Sequence, residues 1–289
     1  MAEITINDAD LQAVKGKVVL MTGGSSGIGL ATTNLLLSLG AKVINGDMNP
    51  PPSQLHSESS DSYKYVRTNV LSWSELVALF KAALDLHGHI DHVFANAGMR
   101  PVASYLALEE DTNGDPTEPN HTTLNVNLKA VINTASLGLH YLQKHPAPKN
   151  SIQSITLTAS SSSFHRFRAA DYGLSKHGVL GLLRGLAPVT YPALPIRVNA
   201  LCPSWTITAL TEESHYKGVK VNLQGADAVA RAAVLLMADE SRHGQMVLSA
   251  ANKYREIEEA VLLKAMTPEI RGQELTEDEI CASVAANLM

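Results

Sequence analysis

The stretch Thr22-Gly-Gly-Ser-Ser-Gly-Ile-Gly29 constrains the fold more than any other part of the chain. Before it, Lys17-Val-Val-Leu-Met21 is a short apolar run with the length and β-branching of a buried strand. After it, Ile28-Gly-Leu-Ala31 and Leu35-Leu-Leu-Ser-Leu39 carry apolar residues at helical spacing, and Gly40 stands where a C-cap glycine belongs. Strand, glycine turn and helix in that order build a site for a pyrophosphate. The glycines let the backbone turn sharply and let the anion come close. The helix N-terminus offers unpaired N–H groups and the positive end of a dipole. Gly23, Ser25, Ser26, Gly27, Ile28 and Gly29 are therefore the first candidate dinucleotide ligands.

Strands and helices keep alternating beyond that unit. Residues 41–47, 63–67, 90–94, 152–159, 196–201 and 245–248 read as strands. Helical spacing follows from Ser72, which with Glu75 forms a candidate capping box, and again over 122–144, from Tyr172 and over 226–238. The crossover after Asn49-Pro-Pro-Pro52 is too rich in Pro and Ser for a regular helix and reads as a loop or a very short helix. The polar stretch 109–119 reads as an exposed loop. This pattern predicts an α/β chain. It forms one doubly wound, Rossmann-like parallel sheet of about seven strands flanked by helices, a single dinucleotide-binding domain over 1–289. The core spans about 17–249. A helical extension over about 250–289, with 256–263 as a helix, covers a pocket or a neighbour.

In such a sheet the ligand sits at the carboxyl ends of the strands. Those ends carry the glycine turn, Asp47, Asn96-Ala97-Gly98, Ser160 and Pro203. Asp47 lies eighteen residues after Gly29, where a carboxylate accepts hydrogen bonds from the adenosine ribose and repels a 2′-phosphate. That favours NAD over NADP. Arg67 is the nearby cation on which an NADPH-dependent reading depends. Tyr172-Gly-Leu-Ser-Lys176 puts a phenol and an ammonium on one helix face, one turn apart. Gly178, Gly181 and Gly185 line one side of the same helix, at a cost of about 1 kcal/mol each against alanine. Packing against another helix, within the chain or across a subunit interface, offsets that cost.

Composition removes several classes. A net charge of −5 with no Lys/Arg run excludes a nucleic-acid partner. No apolar run reaches the roughly 18 residues of a membrane span, and the N-terminal residues have no signal-peptide pattern. Two distant cysteines and eleven scattered histidines indicate neither a disulfide framework nor a metal site, and a reducing, cytoplasmic location is expected.

The spacing Thr-Gly-x-x-x-Gly-x-Gly, Ala95-Asn-Ala-Gly98, Asn125-Val-Asn127-Leu, Tyr172-x-x-x-Lys176 and Cys202-Pro-Ser-Trp-Thr-Ile-Thr208 together resemble the classical short-chain dehydrogenases/reductases over about 17–249. Within that superfamily the chain looks most like fungal secondary-metabolism enzymes related to 15-hydroxyprostaglandin dehydrogenase. The resemblance implies a catalytic tetrad of Asn127, Ser160, Tyr172 and Lys176. Lys176 lowers the pKa of the Tyr172 phenol and holds the ribose, Ser160 holds the substrate oxygen, and Asn127 keeps a water in a proton relay. It adds Asn69, Val70, Pro203, Thr206 and Thr208 as cofactor contacts and implies a homodimer or homotetramer. Departures are Asn69 for an acid, Ala95 for Asn, Ser204 for Gly and Ser249-Ala-Ala for Asp-Gly-Gly. Ser160 also stands twelve rather than thirteen residues before Tyr172, with Ser162 as the second choice. The implied reaction is hydride transfer between NAD(H) and a secondary alcohol or ketone. Ser162, the loop Phe164-His165-Arg-Phe and Trp205 suggest a bulky apolar small-molecule substrate. An NADPH-dependent ketoreductase and a non-redox isomerase or cyclase that binds dinucleotide are the alternatives.

Overall fold

The computed structural model describes residues 3–53, 61–148, 151–208, 211 and 213–287, without side chains at 213, 215 and 285–287. Its strands are β1 (Glu3–Ile4), β2 (Val18–Thr22), β3 (Lys42–Asp47), β4 (Tyr63–Arg67), β5 (His92–Ala95), β6 (Gln153–Thr158), β7 (Ile196–Pro203), β8 (Thr206–Ile207), β9 (Gln224–Gly225), β10 (Met246–Ala250) and β11 (Lys253–Glu256). The seven expected strands pair in parallel in the order β4-β3-β2-β5-β6-β7-β10. Every residue of β2, β5, β6 and β7 is buried, because helices cover both faces of the sheet. The crossover expected to be a loop or short helix falls largely on 54–60, outside the described residues.

On one face, Leu36 of α1 (Gly27–Ser38) and Val229, Ala233 and Leu236 of α5 (Ala226–Ala238) pack against Val19, Met21, Phe94, Leu201 and Val247. On the other lie α2 (Trp73–His87), α4 (Ala170–Leu186) and a long helix, α3, running through Thr122–Leu124, Asn125–Lys129 and Ala130–Lys144. The middle part of α3 is a π-turn rather than α-helix. α1 ends as its glycine requires. Gly40 has φ +79°, its N–H donates to the Leu37 carbonyl at 3.0 Å, and the Ala41 N–H donates to Leu36 at 2.9 Å. The capping box expected at α2 is half formed. The Ser72 hydroxyl accepts from the Glu75 N–H at 3.3 Å, but the Glu75 carboxylate accepts from Asn69 N–H at 2.8 Å instead of reaching back to Ser72.

The extension expected to be helical begins as a strand. Ala251 and Asn252 both have positive φ, 51° and 60°, which folds the chain into a tight hairpin. β11 therefore runs antiparallel to β10, and β1 pairs with β11 in turn, extending the sheet to nine strands. Of the helix expected at 256–263, only the π-turn Glu258–Leu262 forms. The Glu256 carboxylate caps it, accepting from the Glu258 and Ala260 N–H groups at 2.7 and 2.8 Å. Buried Glu258 then pairs with Arg184 of α4, with one contact at 3.1 Å. No described helix is long and apolar enough to cross a membrane.

Candidate active site

The strand order reverses between β2 and β5, and the two turns leaving those strands meet there. Asn96 joins them. Its Nδ2 donates to the Thr22 and Gly23 carbonyls at 3.2 and 3.0 Å, and the Asn96 and Ala97 N–H groups both donate to Thr22 Oγ1 at 3.2 Å. Gly29 sits so close that a Cβ would lie 1.9 Å from the Gly23 carbonyl oxygen. Thr208 closes over the turn from β8's end, 3.2 Å from where a Gly27 Cβ would stand. Beneath the turn is a residue that sequence reasoning missed. Asn45, fully buried in β3, accepts from the Gly24 N–H at 2.9 Å and donates to Ser25 Oγ at 3.1 Å and Tyr63 Oη at 3.0 Å. Ser25, expected to face the cofactor, is thus buried with its hydroxyl held by Asn45. The Asp47 carboxylate accepts from the Ser25 N–H at 3.1 Å and the Asn49 N–H at 3.0 Å, so the acid is seated against the turn. Beside Val70, a cavity of about 110 Å³ is lined also by Leu71, Asn125 and Lys129.

These residues fit a dinucleotide. The N-cap Ser26 makes no side-chain cap bond among the described residues, so the first N–H groups of α1 stay available to an anion. The glycines meanwhile leave no side chain in its way.

The second constellation lies at the ends of β5, β6 and β7. Of the two candidate serines, Ser160 is the one whose side chain acts on the phenol of half-buried Tyr172, opposing the rise of its pKa. Ser162 is buried, and its hydroxyl has no partner among the described residues. The short turn Ser161–Ser163 makes the register: the Ser162 N–H donates to Ser160 Oγ, and the Ser160 N–H donates to Ser163 Oγ, both at 3.2 Å. Lys176 is buried, with Nζ 2.8 Å from the Thr158 carbonyl and 5.8 Å from the Tyr172 ring centre. Burial brings its ammonium down to about 8, opposed only by neighbouring Cys202. Burial likewise pushes the Tyr172 phenol above its ordinary value, against the Ser160 hydrogen bond. The expected lowering by Lys176 is therefore not what the protein alone produces. Desolvation dominates, and the phenol is neutral at neutral pH.

Asn127 is fully buried inside the π-turn of α3, a kind of local irregularity that marks functional sites in helices. Its Oδ1 accepts from the Met99 N–H at 2.8 Å and its Nδ2 donates to the Met99 carbonyl at 2.9 Å. Both side-chain groups brace the turn after Gly98, which leaves the expected water-holding role without support from the side chain. Asp171, also missed, performs a similar job next door. Its Oδ2 accepts from the Val102 and Ala103 N–H groups at 2.9 and 3.0 Å and from Thr123 Oγ1 at 2.6 Å, and its Oδ1 accepts from the Tyr172 N–H at 2.7 Å. These bonds hold its carboxyl below the usual range against desolvation, so it stays charged and ties the post-β5 loop to Tyr172. Gln224 is the third such residue. It donates to Thr206 Oγ1 at 3.1 Å and to the Ser249 carbonyl at 2.7 Å, fixing β8 behind Pro203.

Of the expected substrate residues, Phe164 packs on the core, and exposed His165 lies 4.2 Å from it between ring centres. Trp205 is half-exposed. It neighbours Phe167, which in turn neighbours Tyr172.

The sequence matches the short chain dehydrogenase family over residues 17–218. The short-chain dehydrogenase/reductase ascJ of Acremonium egyptiacum is 46% identical over 288 residues, covering 98% of this chain and 96% of that protein. The 5'-hydroxyaverantin dehydrogenase stcG of Emericella nidulans is 30% identical over 266 residues, 82% of this chain and 85% of that one. Among solved structures, levodione reductase shares the fold with a TM-score of 0.67 at 22% identity, covering 82% of this chain and 97% of that chain.

Proposed function

The chain belongs to the short-chain dehydrogenase family of oxidoreductases, which bind a nicotinamide dinucleotide, and we propose that it uses NAD(H). On this reading it transfers a hydride to or from the secondary alcohol or ketone of a bulky apolar small molecule in secondary metabolism. The observation that carries it is the Tyr172 phenol, set beside Ser160 at the carboxyl edge of the sheet, with Lys176 buried one turn along. The nicotinamide, when bound, gives or takes the hydride. Tyr172 passes the proton to or from the substrate oxygen, and Ser160 donates to that oxygen as charge develops on it. Gly23, Gly27, Gly29 and the N-terminus of α1 hold the pyrophosphate. Asp47 receives the ribose, and Asn69, Val70, Asn96, Ala97, Gly98, Pro203, Thr206 and Thr208 complete the cleft.

Asp47 supports NAD over NADP because its carboxylate is already seated beside Ser25, where a 2′-phosphate would meet a like charge. Arg67, the cation an NADPH enzyme would want, lies 3.6 Å from Glu75. Titrating the protein with NADH and NADPH by nicotinamide fluorescence should show at least about tenfold preference for NADH, which is about 1.4 kcal/mol. Asp47→Ala should erase it. Preference for NADPH in the unaltered protein would overturn the assignment.

A neutral phenol is the form that protonates a ketone oxygen, so pH acts oppositely on the two directions. Ketone reduction should hold steady through neutrality and fall only as pH approaches the raised phenol pKa. Alcohol oxidation, which needs the phenolate, should climb with pH up to that same point. Profiles of kcat/KM in both directions test this, and two flat profiles would remove the proton-transfer role.

The reading extends to a homodimer or homotetramer. A Cβ on Gly178 would meet Leu128 of α3 at 2.7 Å, whereas Gly181 and Gly185 have nothing within 4 Å among the described residues. That open side of α4 supports pairing with a second copy, and a monomeric mass by light scattering would count against it. Two free cysteines, Cys202 buried and Cys281 exposed, fit a cytoplasmic location.

A further inference from the structure

Four aromatic side chains stand in file from the reactive phenol outwards. Tyr172 and Phe167 are 5.5 Å apart between ring centres, Phe167 and Trp205 6.2 Å, and Trp205 and Tyr216 5.6 Å. The chain has only fourteen Phe, Trp and Tyr residues, so this file gathers more than a quarter of them at one place. They come from two separate loops, Phe167 from the β6–α4 connection and Trp205 and Tyr216 from the chain after β7. Both loops leave strand ends where the fold gathers its ligands.

The rings touch one another but leave much of their faces open. In the file the planes are tilted by 46°, 40° and 68°, and Phe167 and Trp205 remain 37% and 41% exposed. Large apolar faces left open beside a reactive group gain stability when a ligand of matching shape covers them. Past Tyr216 the file opens on a groove of about 500 Å³ lined also by Ser214, Lys217, Val219, Val221 and Leu223.

We propose that Phe167, Trp205 and Tyr216 are specificity-determining residues that select substrates bearing a planar, unsaturated ring system next to the carbinol or carbonyl carbon. The proposal rests on Tyr172 being the proton-transfer group of the reading above and deepens it. A flat ring offers its face to Phe167 and Trp205 while its attached oxygen meets Tyr172 and Ser160. A saturated ring of the same size is thicker, carries no quadrupole and loses the edge-to-face contacts.

The test compares α-tetralone, whose carbonyl is attached to a benzene ring, with its saturated counterpart α-decalone. Both are titrated calorimetrically into protein with and without oxidised cofactor, where no turnover occurs. α-Tetralone should bind about tenfold more tightly, and the ratio should collapse towards unity in the Phe167→Leu/Trp205→Leu variant. Trp205→Phe, which keeps an aromatic face, should retain most of the preference, so a misfolded double variant cannot imitate the result. Equal affinities, failure of α-tetralone to bind, or a preference that survives the double variant would overturn the proposal. None of these results depends on turnover. Failure of the redox reading shows instead in the Tyr172→Phe enzyme.

Discussion

Tyr172→Phe should lower kcat/KM for hydride transfer by about a thousandfold, within the range that a general acid–base group contributes, and leave dinucleotide affinity within about threefold. The substitution removes one oxygen and nothing else that packs. The phenyl ring keeps its place beside Phe167 at the N-terminal end of α4, and the bonds of Asp171 to the Tyr172 N–H and to the post-β5 loop involve only backbone and Thr123. Lost is the hydroxyl beside Ser160, and with it the route for the substrate proton. Lys176 cannot substitute, because its Nζ is bonded to the Thr158 carbonyl and lies 5.8 Å from the ring centre. Steady-state turnover with any accepted alcohol or ketone, alongside cofactor titration, decides the matter. A variant that turns over at an undiminished rate would remove Tyr172 from the chemistry. A parent enzyme that never exchanges hydride with labelled cofactor would favour the isomerase or cyclase alternative.

What could be read in the sequence follows a physical divide. Strands buried on both faces are largely apolar, so the central parallel strands were visible as short apolar runs, while the edge strand β4 showed only alternation. The glycine turn was visible because only glycine tolerates a neighbouring carbonyl as close as Gly23 lies to Gly29. Residues that act by reaching across the fold left no such mark. Asn45 looks like one polar position in a strand, and Asp171 like a helix-start acid. Gln224 looks like a loop amide. Each matters through partners 18 to 69 residues away, which no local pattern carries. The expected drop in the Tyr172 pKa failed for a related reason. One turn of helix sets how far Lys176 stands from Tyr172, but only the packed site shows how deeply the phenol is buried. The C-terminal extension is helical at Glu277–Asn287, but the hairpin with which it begins depends on Ala251 adopting positive φ, which the residue type does not announce.

Gly29→Ala is the sharper probe of the cofactor site, since the added methyl meets backbone. Its Cβ would stand 1.9 Å from the Gly23 carbonyl oxygen and 2.7 Å from Asn96 Nδ2. Neither neighbour is free to move. The Asn96 amide donates to both the Thr22 and Gly23 carbonyls, and the Gly23 N–H is anchored to the Gly46 carbonyl at 2.8 Å. Relief must therefore come from shifting the turn against β5, at a cost of about 2 kcal/mol or more in stability. The N–H groups at the start of α1 shift with it, and dinucleotide affinity should fall by about a hundredfold or more. Gly181→Ala is the matched control. It lies in a helix remote from the glycine turn, with nothing within 4 Å of its Cβ among the described residues. Alanine there should leave NADH affinity unchanged and, in the protomer, gain up to about 1 kcal/mol of helix propensity, less whatever a second copy packed on that face takes back. Thermal unfolding and NADH titration of the two variants side by side separate a general intolerance of glycine replacement from a specific one. If Gly29→Ala melted earlier yet bound cofactor normally, the turn would be an architectural hinge and the pyrophosphate would have to lie elsewhere along the strand ends. A loss of binding in a variant still folded at the assay temperature would tie the closest backbone approach in the chain to the ligand it leaves room for.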